Sequence, residues 1–459
     1  MKHLFTILLP ITLLIICSNI NGQWQKTIID NNLSSPEIIW VGDLNGDQKP
    51  DVVAADFSGD KIYWYENNHP NWTKYVIDND LDGAYHVRIG DIDGDGDLDV
   101  VATGYYSKVI VWYENNHPTW NKHVIDTRIG YCGCFAICDI DSDDDLDVVL
   151  GIYDNTFSDR DLAWYENNYP TWTKHVISTN CAVGDIYFGD IDGDGMGDLT
   201  VSRWLVRQIG WFRSVNAGST WTYDIIDQNA DSGTLVIADI NNDGSSDLLA
   251  SGYDDDFVRW YENDSLNWTP HNIDNNLNRA HTVIAVDIDS DQKLDVVATG
   301  KLADKVVWYK NNDSVWVENV IDANIDGPHR VYCADMDNDS AVDCVVPATE
   351  TGEILWYKNP ITKIRHFPSS SPNKYTLSQN YPNPFNPNTT IEFSIPKSSE
   401  VTLEIFNIVG EQVATLVSER LSAGSFSYEW DASRFAGGVY LYQLRAGDFG
   451  ETKKMVLLK

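Results

Sequence analysis

Polar and apolar residues alternate in short runs along this chain, and the runs are separated by turn-forming clusters rich in aspartate. In the stretch that begins at His86, four runs follow one another: HVRIGDI, LDVVATG, VIVWYEN and WNKHVID. Each is rich in β-branched or aromatic residues and none has helical periodicity, so each predicts a strand. The set recurs. Its acidic marker starts at Asp43, Asp91, Asp139, Asp190, Asp239, Asp287 and Asp335, at spacings of 48, 48, 51, 49, 48 and 48 residues. A second marker, WYEN or a close variant, keeps step at Trp64, Trp112, Trp164, Trp211, Trp260, Trp308 and Trp356. Four strands per unit at this period predict an all-β fold, a seven-bladed β-propeller. The chain enters on a fourth strand, WQKTIID at Trp24, and the last repeat stops after its third. The seventh blade is therefore expected to join three late strands to one early strand, closing the ring.

Composition fits a packed body, with 43% hydrophobic and 12% aromatic residues in 459. A net charge of −37 argues against nucleic acid and anionic membrane surfaces as partners, because the long-range field repels both. Residues 1–22 read as a secretory signal: Lys2, an apolar run from Leu4 to Ile16, then small and polar residues. No other run approaches the length of a membrane span. Cys17 would suit lipidation only if a small residue preceded it, and Ile16 does. Six cysteines remain, Cys132, Cys134, Cys138, Cys181, Cys333 and Cys344, sparse for the length; they suggest local disulfides or free thiols more than a zinc site.

Within each nine-residue motif, positions one, three, five and nine carry Asp or Asn. These are Asp43, Asn45, Asp47 and Asp51; Asp91, Asp93, Asp95 and Asp99; Asp139, Asp141, Asp143 and Asp147; and Asp190, Asp192, Asp194 and Asp198. The remaining three sets are Asp239, Asn241, Asp243 and Asp247; Asp287, Asp289, Asp291 and Asp295; and Asp335, Asp337, Asp339 and Asp343. Acidic side chains alternating on a tight turn converge and repel unless a cation joins them. Oxygen-only ligands, with a backbone carbonyl at the variable position seven, favour calcium, up to seven ions in all. The expected role is structural.

The motif followed by an apolar strand resembles the FG-GAP or VCBS repeat of integrin-α-like propellers, over Trp24 to Asn359. The resemblance implies that each calcium loop joins the first and second strands of a blade, on the face opposite the usual ligand site. The third and seventh loops depart from it in lacking glycine at positions four and six. After a Ser/Pro-rich linker at 361–374, residues 375–459 alternate in the manner of a small β-sandwich. Its blocks YPNPFNP, IFNIVGEQV, GVYLYQL and KKMVLLK resemble the C-terminal sorting domain of the type IX secretion system. That implies export, contact with the type IX machinery, and release or attachment at the outer cell surface.

With calcium loops on one face, the opposite face is expected to carry the residue fourteen after each first Asp: Phe57, Tyr105, Tyr153, Trp204, Tyr253, Lys301 and Thr349. An aromatic arc of this kind suits sugar rings or protein loops. His86, His281, His329 and Arg330, with Glu37 and Asp185, are expected near the mouth of a central channel. The function expected is a secreted or surface-attached binding or adhesion module for an extracellular glycan or surface protein. The alternative is a calcium-dependent polysaccharide lyase, with these histidines and Arg330 near the chemistry.

Overall fold

The apolar run after each aspartate motif is buried on both faces. Asp51–Asp56, Asp99–Gly104, Asp247–Gly252, Asp295–Gly300 and Asp343–Ala348 are buried at every residue. A strand so placed must have packing partners above and below its own sheet. The computed structural model supplies them. It describes residues 24–360 and 374–458, apart from 128, 154–159, 232, 314, 422, 433 and 448. The expected signal segment and nearly all of the linker lie outside the described residues.

Two compact units divide the chain, within Trp24–Arg365 and His366–Lys459. The first holds seven four-stranded antiparallel sheets. The first sheet runs Pro36–Gly42, Asp51–Asp56, Lys61–Asn68 and Asn71–Asp78. Five more keep this order from first to fourth strand. The seventh is Tyr332–Ala334, Asp343–Ala348 and Glu353–Lys358, completed by Gln25–Asp30 from the chain start. Gln25 pairs with Lys358 and Ile28 with Leu355. The early strand thus joins the last sheet, as its position in the repeat predicts. The one helical piece among the described residues is a 3-10 turn at Phe57–Gly59.

Apolar clusters form between successive sheets. Ile38, Val53 and Trp64 of the first sheet pack with Val87, Val100 and Val111 of the second. Ile39, Val52 and Tyr65 of the first pack with Met336, Val345 and Trp356 of the seventh.

Two hydrogen-bond links repeat across the same junctions. The Asn of WYEN donates Nδ2 to a carbonyl in the preceding sheet's acidic loop: Asn115 to Leu44 at 2.8 Å, Asn167 to Ile92 at 2.7 Å, and Asn67 to Met336 at 2.7 Å. The Tyr of WYEN donates its hydroxyl to the Asp ending the preceding outer strand, as in Tyr113 to Asp78 at 2.6 Å and Tyr65 to Asp30 at 2.7 Å. Between the third and fourth sheets the sequence supplies neither link. Phe212 and Ser214 replace Tyr and Asn, and Ser178 replaces Asp.

The second unit contains two antiparallel sheets. One joins Thr376–Leu377, Asn388–Ile395 and Gly424–Asp431; the other orders Gln412–Leu421, Ser399–Asn407, Gly438–Ala446 and Phe449–Leu457. Ile391, Phe393, Leu403, Tyr442 and Met455 are among its buried residues.

The six cysteines are free thiols, and Cys333 Sγ lies 3.3 Å from Cys344 Sγ across a strand pair.

Candidate functional site

Each aspartate motif forms the connection from first to second strand, and positions four and six have positive φ in every copy. Glycine reaches that region without steric penalty, as at Gly94 (+74°) and Gly96 (+97°). The third and seventh loops, expected to differ, keep the conformation with Ser142, Asp144, Asn338 and Ser340, and the sixth does so with Ser290 and Gln292. A left-handed non-glycine residue costs about 1–2 kcal/mol. Backbone donors to the first aspartate offset it: Ser142 N and Asp143 N reach Asp139 Oδ1 at 2.8 and 3.2 Å, and Asp144 N reaches Oδ2 at 3.2 Å.

Position nine anchors the loop to the sheet. Asp99 accepts from Ile92 N at 2.9 Å through one oxygen and from Asn115 N at 2.8 Å through the other. Asp51, Asp147, Asp198, Asp247, Asp295 and Asp343 repeat the arrangement. Burial pushes these carboxyls up, Asp51, Asp198 and Asp247 to about 6, and Asp99, Asp147, Asp295 and Asp343 to about 7, against the backbone hydrogen bonds.

Five loops bring three carboxylates together, with ligand oxygens within 4.8 Å of one another. Asp91, Asp93 and Asp99 form one set, and Asp139, Asp141 and Asp147 another; Asp95 and Asp143 stand outside these sets. The remaining three are Asp190, Asp192 and Asp194; Asp287, Asp289 and Asp291; and Asp335, Asp337 and Asp339, leaving out Asp198, Asp295 and Asp343. Four of these loops hold one buried carboxylate oxygen with no hydrogen-bond partner, Asp91 Oδ1, Asp141 Oδ1, Asp289 Oδ1 and Asp337 Oδ1, while in the loop from Asp190 the Asp192 Oδ2 lies 2.6 Å from Arg213 Nε. In the loops from Asp91 and Asp139, where no basic side chain is paired with the set, unpartnered buried oxygens converging on one point fit a hard divalent cation. In the loops from Asp43 and Asp239, position three is an amide, and Asn45 and Asn241 each turn Nδ2 toward a glutamate, Glu66 and Glu262, at 3.4 Å.

The turns from second to third strand lie at the other end of the sheets. Tyr105 is half-buried there, its ring 4.6 Å from Tyr131 and 5.8 Å from both Tyr85 and Phe57, with Tyr106 beside it 56% exposed. Trp204 is 40% exposed and leads the exposed pair Leu205 and Val206. Tyr253 accepts from Arg279 Nη1 at 3.0 Å, and the guanidinium carbon sits 4.7 Å from the ring centre. The Tyr153 side chain lies outside the described residues.

Of the basic residues expected at a channel mouth, His86 and His329 are buried and His281 and Arg330 half-buried. His86, on Ala84–Gly90, has no exposed surface, and neither ring nitrogen has a hydrogen-bond partner. Burial pulls it well below the usual histidine value, and pulls His281 down to about 3. His281 and His329 rings lie 3.8 Å apart, and His329 Nε2 is 3.1 Å from Glu37 Oε2. Arg330 Nη2 pairs with Asp185 Oδ1 at 2.6 Å. His86 and His281 stand on first strands packed against their neighbours, and His329 and Arg330 just before one, so these side chains meet protein where a loop residue would meet water. Arg88, unremarked in the sequence, joins this cluster over the Trp40 ring at 4.6 Å.

Residues 43–102, 91–150, 239–298 and 287–346 match the FG-GAP-like repeat, and residues 379–458 match the secretion system C-terminal sorting domain. The sorting domain implies interaction with the type IX machinery and directs the chain to the cell surface or the medium. No helix among the described residues is long and apolar enough to cross a membrane. None of the curated proteins matches. Among solved structures, the chain is similar to PorZ, an essential bacterial surface component of the type-IX secretion system of Porphyromonas gingivalis. The TM-score is 0.50 at 13% identity, covering 94% of this chain and 60% of that one, so this chain spans less than two thirds of its length. A functionally unknown protein from Desulfotomaculum acetoxidans DSM 771 is similar with a TM-score of 0.46 at 12% identity, over 81% of this chain and 97% of that one.

Proposed function

From the premise that the chain carries FG-GAP-like repeats and ends in a type IX sorting domain, we propose that it is a calcium-stabilised binding module displayed at the cell surface or released. Residues 23–360 form a closed seven-bladed β-propeller, preceded by a signal peptide at 1–22. A linker at 361–374 leads to the sorting domain at 375–459, a small β-sandwich. Closure is supported by the pairing of Gln25–Asp30 with Glu353–Lys358 and by the Asn67 link to Met336. Calcium is supported by the convergent, unpartnered oxygens of the loops from Asp91 and Asp139. Side-chain oxygens of Asp or Asn at positions one, three, five and nine would hold it, and the bound ion would neutralise the loop.

The observation that carries the binding reading is the aromatic group of Phe57, Tyr85, Tyr105, Tyr106 and Tyr131 at the end away from the acidic loops. Such a platform suits stacking of sugar rings or the side chains of a surface protein. Lyase chemistry is less favoured, because His86 and His329 are buried and Arg330 is committed to Asp185.

The test is retention of the full chain, with calcium, on immobilised acidic and neutral polysaccharides and on cell-surface protein fractions. Retention on one of them, weakened at least tenfold by Tyr105→Ala or Tyr106→Ala with unchanged melting, is the expected result. Retention that ignores these substitutions would remove the aromatic end from consideration, and shortening of a polymer during the assay would establish the lyase.

A further inference from the structure

In every third strand the residue after the Trp-aromatic pair lies beside its own sheet's acidic loop. Through the seven sheets it reads Glu66, Glu114, Glu166, Arg213, Glu262, Lys310 and Lys358. The three basic residues enter their loops. Arg213 Nε is 2.6 Å from Asp192 Oδ2, and its Nη2 is 3.2 Å from Asp194 Oδ2. Lys310 Nζ bonds Asp289 Oδ2 and lies 2.9 Å from Asp291 Oδ2; Lys358 Nζ bonds Asp337 Oδ2 and lies 3.0 Å from Asp339 Oδ2. In all three the partners are positions three and five, where ligands to a metal would stand. The Asp192 and Asp337 side chains are only 4% and 6% exposed, so the cation covers carboxylates that water hardly reaches, while its own side chain stays partly exposed.

The glutamates are held differently. His123, His175 and His271 place Nε2 at 2.8, 2.7 and 2.8 Å from Glu114, Glu166 and Glu262, and Tyr75 donates to Glu66 at 3.0 Å. The outer-strand residue opposite the Trp changes with the third-strand residue. It is Tyr75, His123, His175 or His271 beside a glutamate, and Asp224, Asn319 or Thr27 beside a basic residue. The carboxylate sets divide the same way. Positions one, three and five gather in the three loops that a third-strand cation enters, while one, three and nine gather in the loops from Asp91 and Asp139.

We propose that Arg213, Lys310 and Lys358 occupy the place of the metal in their own loops, so that calcium binds at no more than four loops, those beginning at Asp43, Asp91, Asp139 and Asp239. This rests on the calcium reading above. A side chain tethered to the same sheet neutralises the loop at every ion concentration, since it cannot diffuse away. A divalent ion entering there would meet a positive charge at contact distance, with two of its ligands already engaged. Where the position is glutamate, a further negative charge stands beside the loop and the need for a metal grows.

The experiment is bound calcium per chain, measured by equilibrium dialysis and elemental analysis of the full chain. Up to four ions are expected, rising by one in each of Arg213→Gln, Lys310→Gln and Lys358→Gln. Hydrogen exchange in chelator supplies a second readout that needs no variant: amides 190–198, 287–295 and 335–343 are expected to stay protected while those of the other four loops open. Five or more ions in the unaltered chain would overturn this inference and leave the calcium reading standing. No bound ion at all would overturn both, and so would be told apart from the first failure.

Discussion

Asp99 and its six counterparts show how one residue type serves two demands. As a position in a motif it reads as a ligand; in the fold it is first the acceptor for two backbone donors, one in its loop and one in the third strand. The second donor belongs to Asn115, sixteen residues on, and nothing in the motif itself announces it. Burial raises these carboxyls from 3.8 to about 6 or 7. The folded state therefore holds more protons than the unfolded chain between those values, and stability falls as pH rises through that window. Asp30, Asp78 and Asp322 act in the opposite sense. Burial would raise them, but hydrogen bonds from lysine and tyrosine hold them below 3.8, so their contribution is present at neutral pH and lost in acid. In chelator, the melting temperature is expected to drop by several degrees from pH 4.5 to pH 7.5, and calcium is expected to reduce or reverse the drop. Circular dichroism melts would check this, and a metal-free protein more stable at pH 7.5 would contradict it.

At the scale of the strand and its neighbours, the junctions between sheets are stitched by the side chains of WYEN. The motif is plain in the sequence, yet the stitching is not, because the accepting carbonyl belongs to the previous repeat. Asn115 bonds both Leu44 O at 2.8 Å and Leu98 O at 3.0 Å. Asn115→Ala strands those buried carbonyls, and a loss of about 1–3 kcal/mol is expected in urea unfolding. Ser214→Ala is expected to cost less, since it loses no cross-sheet bond and strands only the Gly218 N–H that its hydroxyl accepts at 2.9 Å. The fourth sheet also shows why repeats should be compared for what changes as well as for what recurs. Arg213, Lys310 and Lys358 interrupt a run of glutamates visible by eye, but only the packing shows that they point into an acidic loop.

For the molecule as a whole, seven repeats in register made the number of sheets legible, and the odd phase of the first strand made the composition of the seventh legible too. The burial of His86 and His329 was not, because sequence spacing does not say how closely a first strand and the residues leading into it pack on the next sheet. Deleting residues 24–30 is expected to broaden the thermal transition and lower its midpoint by several degrees, with hydrogen exchange rising across 343–348 and 353–358. Removing 375–459 is expected to leave the transition of the repeat unit in place, and comparative calorimetry of the two truncations would decide it.

The pairing of Gln25–Asp30 with Glu353–Lys358 also sets a clock. A chain made or threaded from its N-terminus delivers that strand first, while its partner comes last of all the sheets. Until then the strand travels as an open edge, available to whatever extended segment it meets. The front of the chain is thus the part a chaperone must guard longest, and a pause before the seventh repeat emerges is the moment when two half-delivered copies are most apt to pair with each other.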